Sequence, residues 1–245
     1  MNWLKQHFPL CLKQINFPSK LKVWVFAPHP DDFDAVAVTL KMLFDHGANI
    51  ILTVASSGFS GVEDAFCSPP GRERKAAVRE SEQLASCALF GLPANNVRFL
   101  RLEEDDSGKI LDNAKNYQTA LTQFELIRPD LVFLPHGNDT NSDHRIIFSI
   151  LEKIARETEK PFAAFLNRDP KTIALREDVF TIFGQKLAEW KAALLRCHKS
   201  QHQRNLNTRG YGFDERILRE DRQNAQRAPA TGEFAEVFEI IFRPE

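Results

Sequence analysis

Short runs of β-branched, aromatic and leucine residues recur along the first half of the chain, each separated from the next by a segment with helical spacing. Residues 20–28 (KLKVWVFAP), 49–55 (NIILTVA), 96–102 (NVRFLRL) and 130–134 (DLVFL) read as buried strands. Between them, residues 34–46, 72–89 and 112–127 read as helices, stopped by Gly47, by Gly91 with Pro93, and by Pro129. Strands that are apolar on both faces and alternate with helices have few ways to bury themselves. A parallel sheet covered by helices on both sides is the simplest of these. Residues 142–157 continue the alternation as a helix, and 162–166 supply a fifth strand. Residues 184–203 and 214–225 read as helices, and 233–242 as a last strand. In a chain of 245 residues with no internal repeat and no linker-like stretch, this predicts a single-domain, Rossmann-like α/β fold. That domain is expected to span 21–245, after an N-terminal extension over 1–20.

Charge removes several classes of function. Thirty-two Lys and Arg against 33 Asp and Glu leave no strong positive field, so a general nucleic-acid binder is not expected. Cys11, Cys67, Cys87 and Cys197 are scattered without a Cys-x-x-Cys pair, which suits free thiols in a reducing compartment. Nothing approaches the roughly 18 apolar residues of a membrane span. The opening residues also lack the pattern of a signal peptide, so the expected location is cytoplasmic.

The turn after the first strand carries the chemistry. A dinucleotide-binding fold would place Gly-x-Gly-x-x-Gly here, and that pattern is absent; the turn reads Pro28-His29-Pro30-Asp31-Asp32. Two carboxylates and an imidazole repel a phosphate and attract a cation. His29 and Asp32, three residues apart in a tight turn, can face one ion, while Asp31 points elsewhere because adjacent side chains diverge. A second polar cluster, Pro135-His136-Gly137-Asn138-Asp139-Thr140-Asn141-Ser142-Asp143-His144-Arg145, comes after the fourth strand. In a doubly wound sheet that strand end can face the first one, so His144 is a candidate third ligand. Two nitrogens and one oxygen leave a coordination position open, the mark of catalytic zinc. An ion held this way lowers the pKa of its water to about 7. Asp31, beside the ion and free of it, is then placed as a general base for hydrolysis of an amide or ester. The same residues also have plainer uses, since an Asp pair can cap a helix and a lone histidine can simply pack.

Ala27-Pro28-His29-Pro30-Asp31-Asp32 followed by a helix resembles the signature of the LmbE-like (PIG-L type) family, zinc-dependent N-acetylglucosamine deacetylases of Rossmann-like fold. Further segments are similar to that family in order along the chain: Arg79-Glu80-Ser81-Glu82 ahead of Gly91, Asp139 through Arg145, Lys191 with His198-Lys199-Ser200-Gln201, and Gly232 through Phe238. The resemblance implies that His29, Asp32 and His144 bind one Zn2+ per chain, another divalent metal being an alternative, and that Asp31 is the general base. It implies a substrate contact for Arg79, a sugar-hydroxyl contact for Asp106 or Asp105, and an orienting role for Asp143 behind the ligands. Two positions depart from the family pattern. Phe33 stands where the family has Glu, and Asn141 where many members carry the histidine that stabilises the oxyanion. Asn141 can still donate a hydrogen bond there, but it cannot act as an acid. An imidazole acid at the substrate would then be His136 or His198.

The expected function is a zinc-dependent hydrolase that removes the N-acetyl group from an amino-sugar (GlcNAc-type) conjugate, with loops 56–71 and 103–108 framing the pocket. The alternative is a catalytically silent metal- or sugar-binding protein on the same fold, favoured by Asn141 and Phe33 and opposed by the retained Asp31. The expected partner is a small amino-sugar conjugate, with no nucleic acid and no membrane span. The Arg- and Gln-rich stretch 201–227 can line either a pocket or a subunit contact, which leaves a homo-oligomer open.

Overall fold

Val23, Val25 and Ala27 point to one face of the central strand β2 (Lys22–Ala27), and Trp24 and Phe26 to the other; all five side chains are buried. A strand with no solvent face must lie inside a sheet that is covered on both sides, and this one does. The computed structural model describes residues 7–18 and 20–242. Its strands are β1 (Leu10–Cys11), β2, β3 (Asn49–Val54), β4 (Val97–Phe99), β5 (Leu131–Pro135), β6 (Ala163–Asn167), β7 (Val179–Phe183) and β8 (Phe234–Phe242). They form one sheet in the order β1-β7-β8-β6-β5-β2-β3-β4. β2 pairs in parallel with β3 and β5, and the parallel run continues to β4 on one side and β6 on the other. β8 departs from it, lying antiparallel between β6 and β7.

The helices are α1 (Asp32–Ala35), α2 (Ala37–Asp45), α3 (Arg72–Phe90), α4 (Ala114–Ile127), α5 (Ser142–Glu157), α6 (Gln185–Arg196), α7 (Lys199–Arg209) and α8 (Phe213–Ala225). Leu40 and Leu43 of α2, Cys87 and Phe90 of α3 and Leu194 of α6 pack on the Val23–Val25 face. Phe124 and Ile127 of α4, with Ile147, Ile150, Leu151 and Ile154 of α5, cover Trp24 and Phe26. The α5 residues succeed one another at helical spacing, as a stripe facing a sheet requires. Among the described residues, no helix is long and apolar enough to cross a membrane.

Several boundaries differ from the sequence expectation. The helix expected over 34–46 starts at Asp32 and is broken at Val36. The break frees the Ala35 carbonyl, which accepts from Lys191 Nζ at 2.7 Å. It also frees the N–H groups of Val38 and Thr39, which donate to the Glu236 carboxylate at 3.0 and 2.8 Å. Charged residues far away in sequence thus complete both sides of the interruption. The helix expected over 184–203 is likewise two helices, α6 and α7, parted at Cys197 and His198. Strand β7 is an addition to the expected elements, although Val179-Phe180-Thr181-Ile182-Phe183 has strand composition. Leu10 and Cys11, inside the stretch expected as an extension, pair with Val179 and Phe180 as an edge strand.

Lys191 is fully buried and joins three parts of the chain. Besides Ala35 it reaches Asp221 at 2.7 Å and Glu236 at 2.9 Å. Burial alone would push this ammonium down, but the two carboxylates outweigh it and hold Lys191 above its ordinary range. Lys191→Ala would strand both carboxylates in the interior. It is expected to cost about 3–5 kcal/mol, read from urea unfolding of the variant against the parent chain.

Candidate metal centre

β2 and β5 are neighbours, yet the chain leaves β2 towards β3 on one side and β5 towards β6 on the other. At such a reversal the loops after the two strands part and open a crevice at their carboxyl ends. The turn after β2 carries His29, Asp31 and Asp32; the loop after β5 leads to α5, whose first turn carries Asp143 and His144. The turn closes on itself, with His29 N–H donating to Asp32 Oδ2 at 2.7 Å and Asp32 N–H to the His29 carbonyl at 3.3 Å. Asn141 caps α5, its Oδ1 accepting from the Asp143 N–H.

The His29 and His144 ring centroids are 5.5 Å apart, and one ligand atom from each of His29, Asp32 and His144 lies within 4.8 Å of the other two. His29 Nδ1 is 3.3 Å from Asp32 Oδ2, and His144 Nε2 is 3.9 Å from Asp32 Oδ1. The outward nitrogens are both occupied: His29 Nε2 meets Asp143 Oδ2 at 2.9 Å, and His144 Nδ1 meets Asp139 Oδ2 at 3.2 Å. A carboxylate behind each imidazole fixes its tautomer and turns the other nitrogen inward, the arrangement of metal-binding histidines. The donor set therefore fits a divalent cation with an open position. Burial alone would lower the His29 pKa; hydrogen bonds to Asp143 and Asp32 overcome it and raise the imidazole to about 9. Burial would raise Asp32, but the His29 hydrogen bond and the charge of His144 hold it well below the usual carboxylate range. The pocket favours positive charge at this point.

Asp31 stands apart from the three candidate ligands. Its φ of 125° lies where side chains are strained, at a cost of order 1–3 kcal/mol. Gln83, fully buried on α3, accepts its N–H at 2.9 Å. Arg79, also buried on α3, donates to Asp31 Oδ2 at 2.9 Å and to the Pro30 carbonyl. Gly58 lets this happen: at φ 65° a Cβ there would sit 3.0 Å from Pro30 and 3.2 Å from the Arg79 Nε. The result is a carboxylate fixed beside the three ligands and held by a guanidinium.

A cavity of about 510 Å³ opens over this turn, lined by His29, Asp31, Asp32, Arg79, Asn141 and His144 among others. Its size suits a small ligand. Gly58, Ser60 and Gly61 bring the first expected loop to its wall. The second, 103–108, does not reach it, and Asp105 and Asp106 lie exposed outside the cavity, where Asp105 serves its own turn through Ser107 and Lys109. His136 is also outside: it meets Glu239 at 3.2 Å and stacks on Phe148. His198 is fully buried, its Nε2 2.6 Å from Asp34, so it cannot touch a ligand. Asp106, His136 and His198 thus do not line this cavity. The structure adds Asp139 and Gln83 behind the site, and Lys109, Asp169, Lys171 and residues of α7 and α8 on the wall. Asp169 lies within reach of Asp139 and His144, and burial raises its carboxyl.

An α/β domain with a His–Asp–His cluster at its topological switch point is one class of protein; a sequence comparison places the chain within it. The profile of the GlcNAc-PI de-N-acetylase (PIG-L) family matches residues 24–155, and the chain belongs to that family. A comparison with curated proteins found no match. Similar solved structures include an N,N'-diacetylchitobiose deacetylase of Pyrococcus horikoshii, at TM-score 0.73 and 17% identity over 89% of this chain and 83% of that one. They also include a 4-carboxy-2-hydroxymuconate hydratase of Pseudomonas putida, at TM-score 0.70 and 17% identity over 92% and 98%. A third is the zinc-inhibited form of a teicoplanin deacetylase, at TM-score 0.66 and 14% identity over 90% and 98%. At these identities the likeness concerns the fold.

The two backing carboxylates give a direct test of the centre. Asp143→Asn and Asp139→Asn are each expected to weaken zinc affinity by about 10–100-fold, measured by competition with a chromophoric chelator. His144→Ala should abolish stoichiometric binding in the same assay.

Proposed function

We propose that this protein is a metal-dependent N-deacetylase that releases acetate from an acetylated amino-sugar conjugate. One observation carries the reading: in a member of this family, a carboxylate free of the ligand cluster (Asp31) is fixed beside convergent His29, Asp32 and His144. A binding protein has no need of a strained, unliganded carboxylate beside its metal.

His29, Asp32 and His144 would hold one zinc ion, with Asp143 and Asp139 keeping the imidazoles in register. When bound, the ion supplies Lewis-acid polarisation of the amide carbonyl and acidifies a water molecule. Asp31 accepts the proton from that water as its oxygen attacks the carbonyl carbon. Arg79 keeps the Asp31 carboxylate aimed while the proton arrives. The Asn141 side-chain oxygen is engaged in capping α5, so its NH2 group is the donor left for the developing oxyanion. As the C–N bond breaks, the amine takes a proton from Asp31, which returns to its starting state. Since His136 and His198 do not reach the cavity, one carboxylate serves both transfers. Water is consumed, and acetate and the protonated amine leave.

Asp31→Asn should retain zinc and lose about 10²–10⁴ in turnover, followed as acetate released from N-acetylglucosamine conjugates. Asn141→Ala should lose about 10²–10³ in kcat. Near-parental turnover in Asp31→Asn would remove Asp31 as the base, and zinc loading without acetate release from any conjugate would return the protein to a binding role.

A further inference from the structure

α7 is an unusual helix to find packed in a domain of this kind. Its sequence, KSQHQRNLNTR, contains a single apolar residue, Leu206, and that one is exposed; the residues it buries are Ser200, Gln201 and Asn205. It builds no core. Gln201, Arg204, Asn205, Thr208 and Arg209 all line the cavity over the metal cluster. Their spacing is that of one helix face. The helix is firmly seated: Ser200 donates to Glu82 through its N–H at 2.6 Å and its hydroxyl at 2.7 Å, and Gln201 Nε2 donates to the Gly61 carbonyl at 2.9 Å. Asn205 is buried, and its side-chain oxygen has no partner among the described residues.

The charges on this wall are unbalanced. Within the cavity Asp31 has Arg79, Asp32 has His29, and Asp143 has His29 and Lys109, while Asp169 is the one lining acid with no ion pair among the described residues. Of the arginines near α7 that do not line the cavity, Arg196 pairs with Asp214, Arg219 with Glu215 and Arg227 with Glu177, while Arg222 lies over the Phe234 ring. Arg204, Arg209, Arg216 and Lys171 line it, and among the described residues none of them is within 4.0 Å of a carboxylate oxygen. Gathering like charges around one cavity is unfavourable unless something negative joins them. All four also lie beyond residue 155, outside the segment matched by the family profile.

We propose that this wall is an oxyanion subsite: the substrate carries, away from its acetamide, a phosphate or carboxylate group bound by Arg204, Arg209, Arg216 and Lys171. Guanidinium forks suit such groups because they donate paired, charge-assisted hydrogen bonds. Asn205 offers its free oxygen to a hydroxyl of the intervening sugar. The inference rests on the deacetylase reading for the reaction, but not for the binding.

The test uses the zinc-loaded full chain with three acetylated substrates: methyl N-acetylglucosaminide, N-acetylglucosamine 1-phosphate and an N-acetylglucosamine glucuronide. The expected result is a kcat/KM at least about tenfold higher for one anionic substrate than for the neutral one, with that ratio falling as salt is raised. The two anionic arms tell phosphate from carboxylate. In Arg204→Ala/Arg209→Ala the ratio should drop by about tenfold or more, with zinc content and melting temperature recorded to establish that the variant folds. A parental ratio near 1, or a ratio unchanged in the double variant, overturns the subsite. If no substrate yields acetate, calorimetric binding of glucosamine 1-phosphate against methyl glucosaminide decides it alone. Tighter binding of the phosphate that the double variant loses supports the subsite while the deacetylase reading falls; equal binding overturns the subsite.

Discussion

An alternating row of carboxylates and imidazoles, Asp143–His29–Asp32–His144–Asp139, runs across the crevice between β2 and β5. Each contact in the row constrains the next. An imidazole with both nitrogens free can rotate or change tautomer; one whose outer nitrogen is held by a buried carboxylate presents the inner one in a fixed direction. Because Asp143 and His144 are adjacent at the start of α5, one helix terminus supplies a backing group to the opposite histidine and an imidazole of its own to the cluster. The position of α5 relative to the β2 turn is thus set twice, once through each side chain. The Asn141 cap and the apolar stripe that seats α5 on the sheet keep that terminus in place.

The geometry around Asp31 stems from the same constraint. The turn brings His29 and Asp32 within 3.3 Å of each other and holds Asp31 between Pro30 and Asp32 at φ 125°. Gln83 and Arg79, one helical turn apart on α3, hold the turn in that state from behind. The strain accompanies the close approach of His29 and Asp32 within one tight turn. Asp31 itself stays outside the His29–Asp32–His144 cluster, held by Arg79.

Much of this is legible in the sequence because it is local. Alternating strands and helices, the His29–Asp32 turn and the Asp143–His144 pair are all short-range patterns, and the fold only has to bring two strand ends together. What sequence spacing misses is set by partners distant in the chain. The break at Val36 depends on Lys191 and Glu236, and the break at His198 on Asp34; neither dependence shows in the helical periodicity of its own segment. His198 is a candidate for the substrate by sequence because it stands in a motif-like stretch, yet it holds Asp34 together with Ser86 and Gln83, beneath the site rather than in it. Asp106 is a candidate by its resemblance to a family carboxylate and His136 as a stand-in for the histidine that Asn141 replaces, and neither argument decides which way a side chain faces. The Arg-rich segment stays undecided between a pocket and a contact surface until the fold is known, since a polar stripe on a helix looks the same in either setting.

The cavity divides into two unlike halves, and the division coincides with a division of the chain. The carboxylates and imidazoles of the floor come from the part that matches the family profile, whereas Lys171 and the α7–α8 arginines come from the part beyond residue 155. The buried Lys191 joins these parts physically, because it touches the Ala35 carbonyl just after the β2 turn as well as Asp221 of α8 and Glu236 of β8. A helix with an apolar underside would have seated α7 more simply. Its polar face is instead fastened by Glu82 and Gly61 while its cations stay unpaired. The carboxylates and imidazoles at the strand ends and the unpaired cations of the roofing helices thus meet across one cavity.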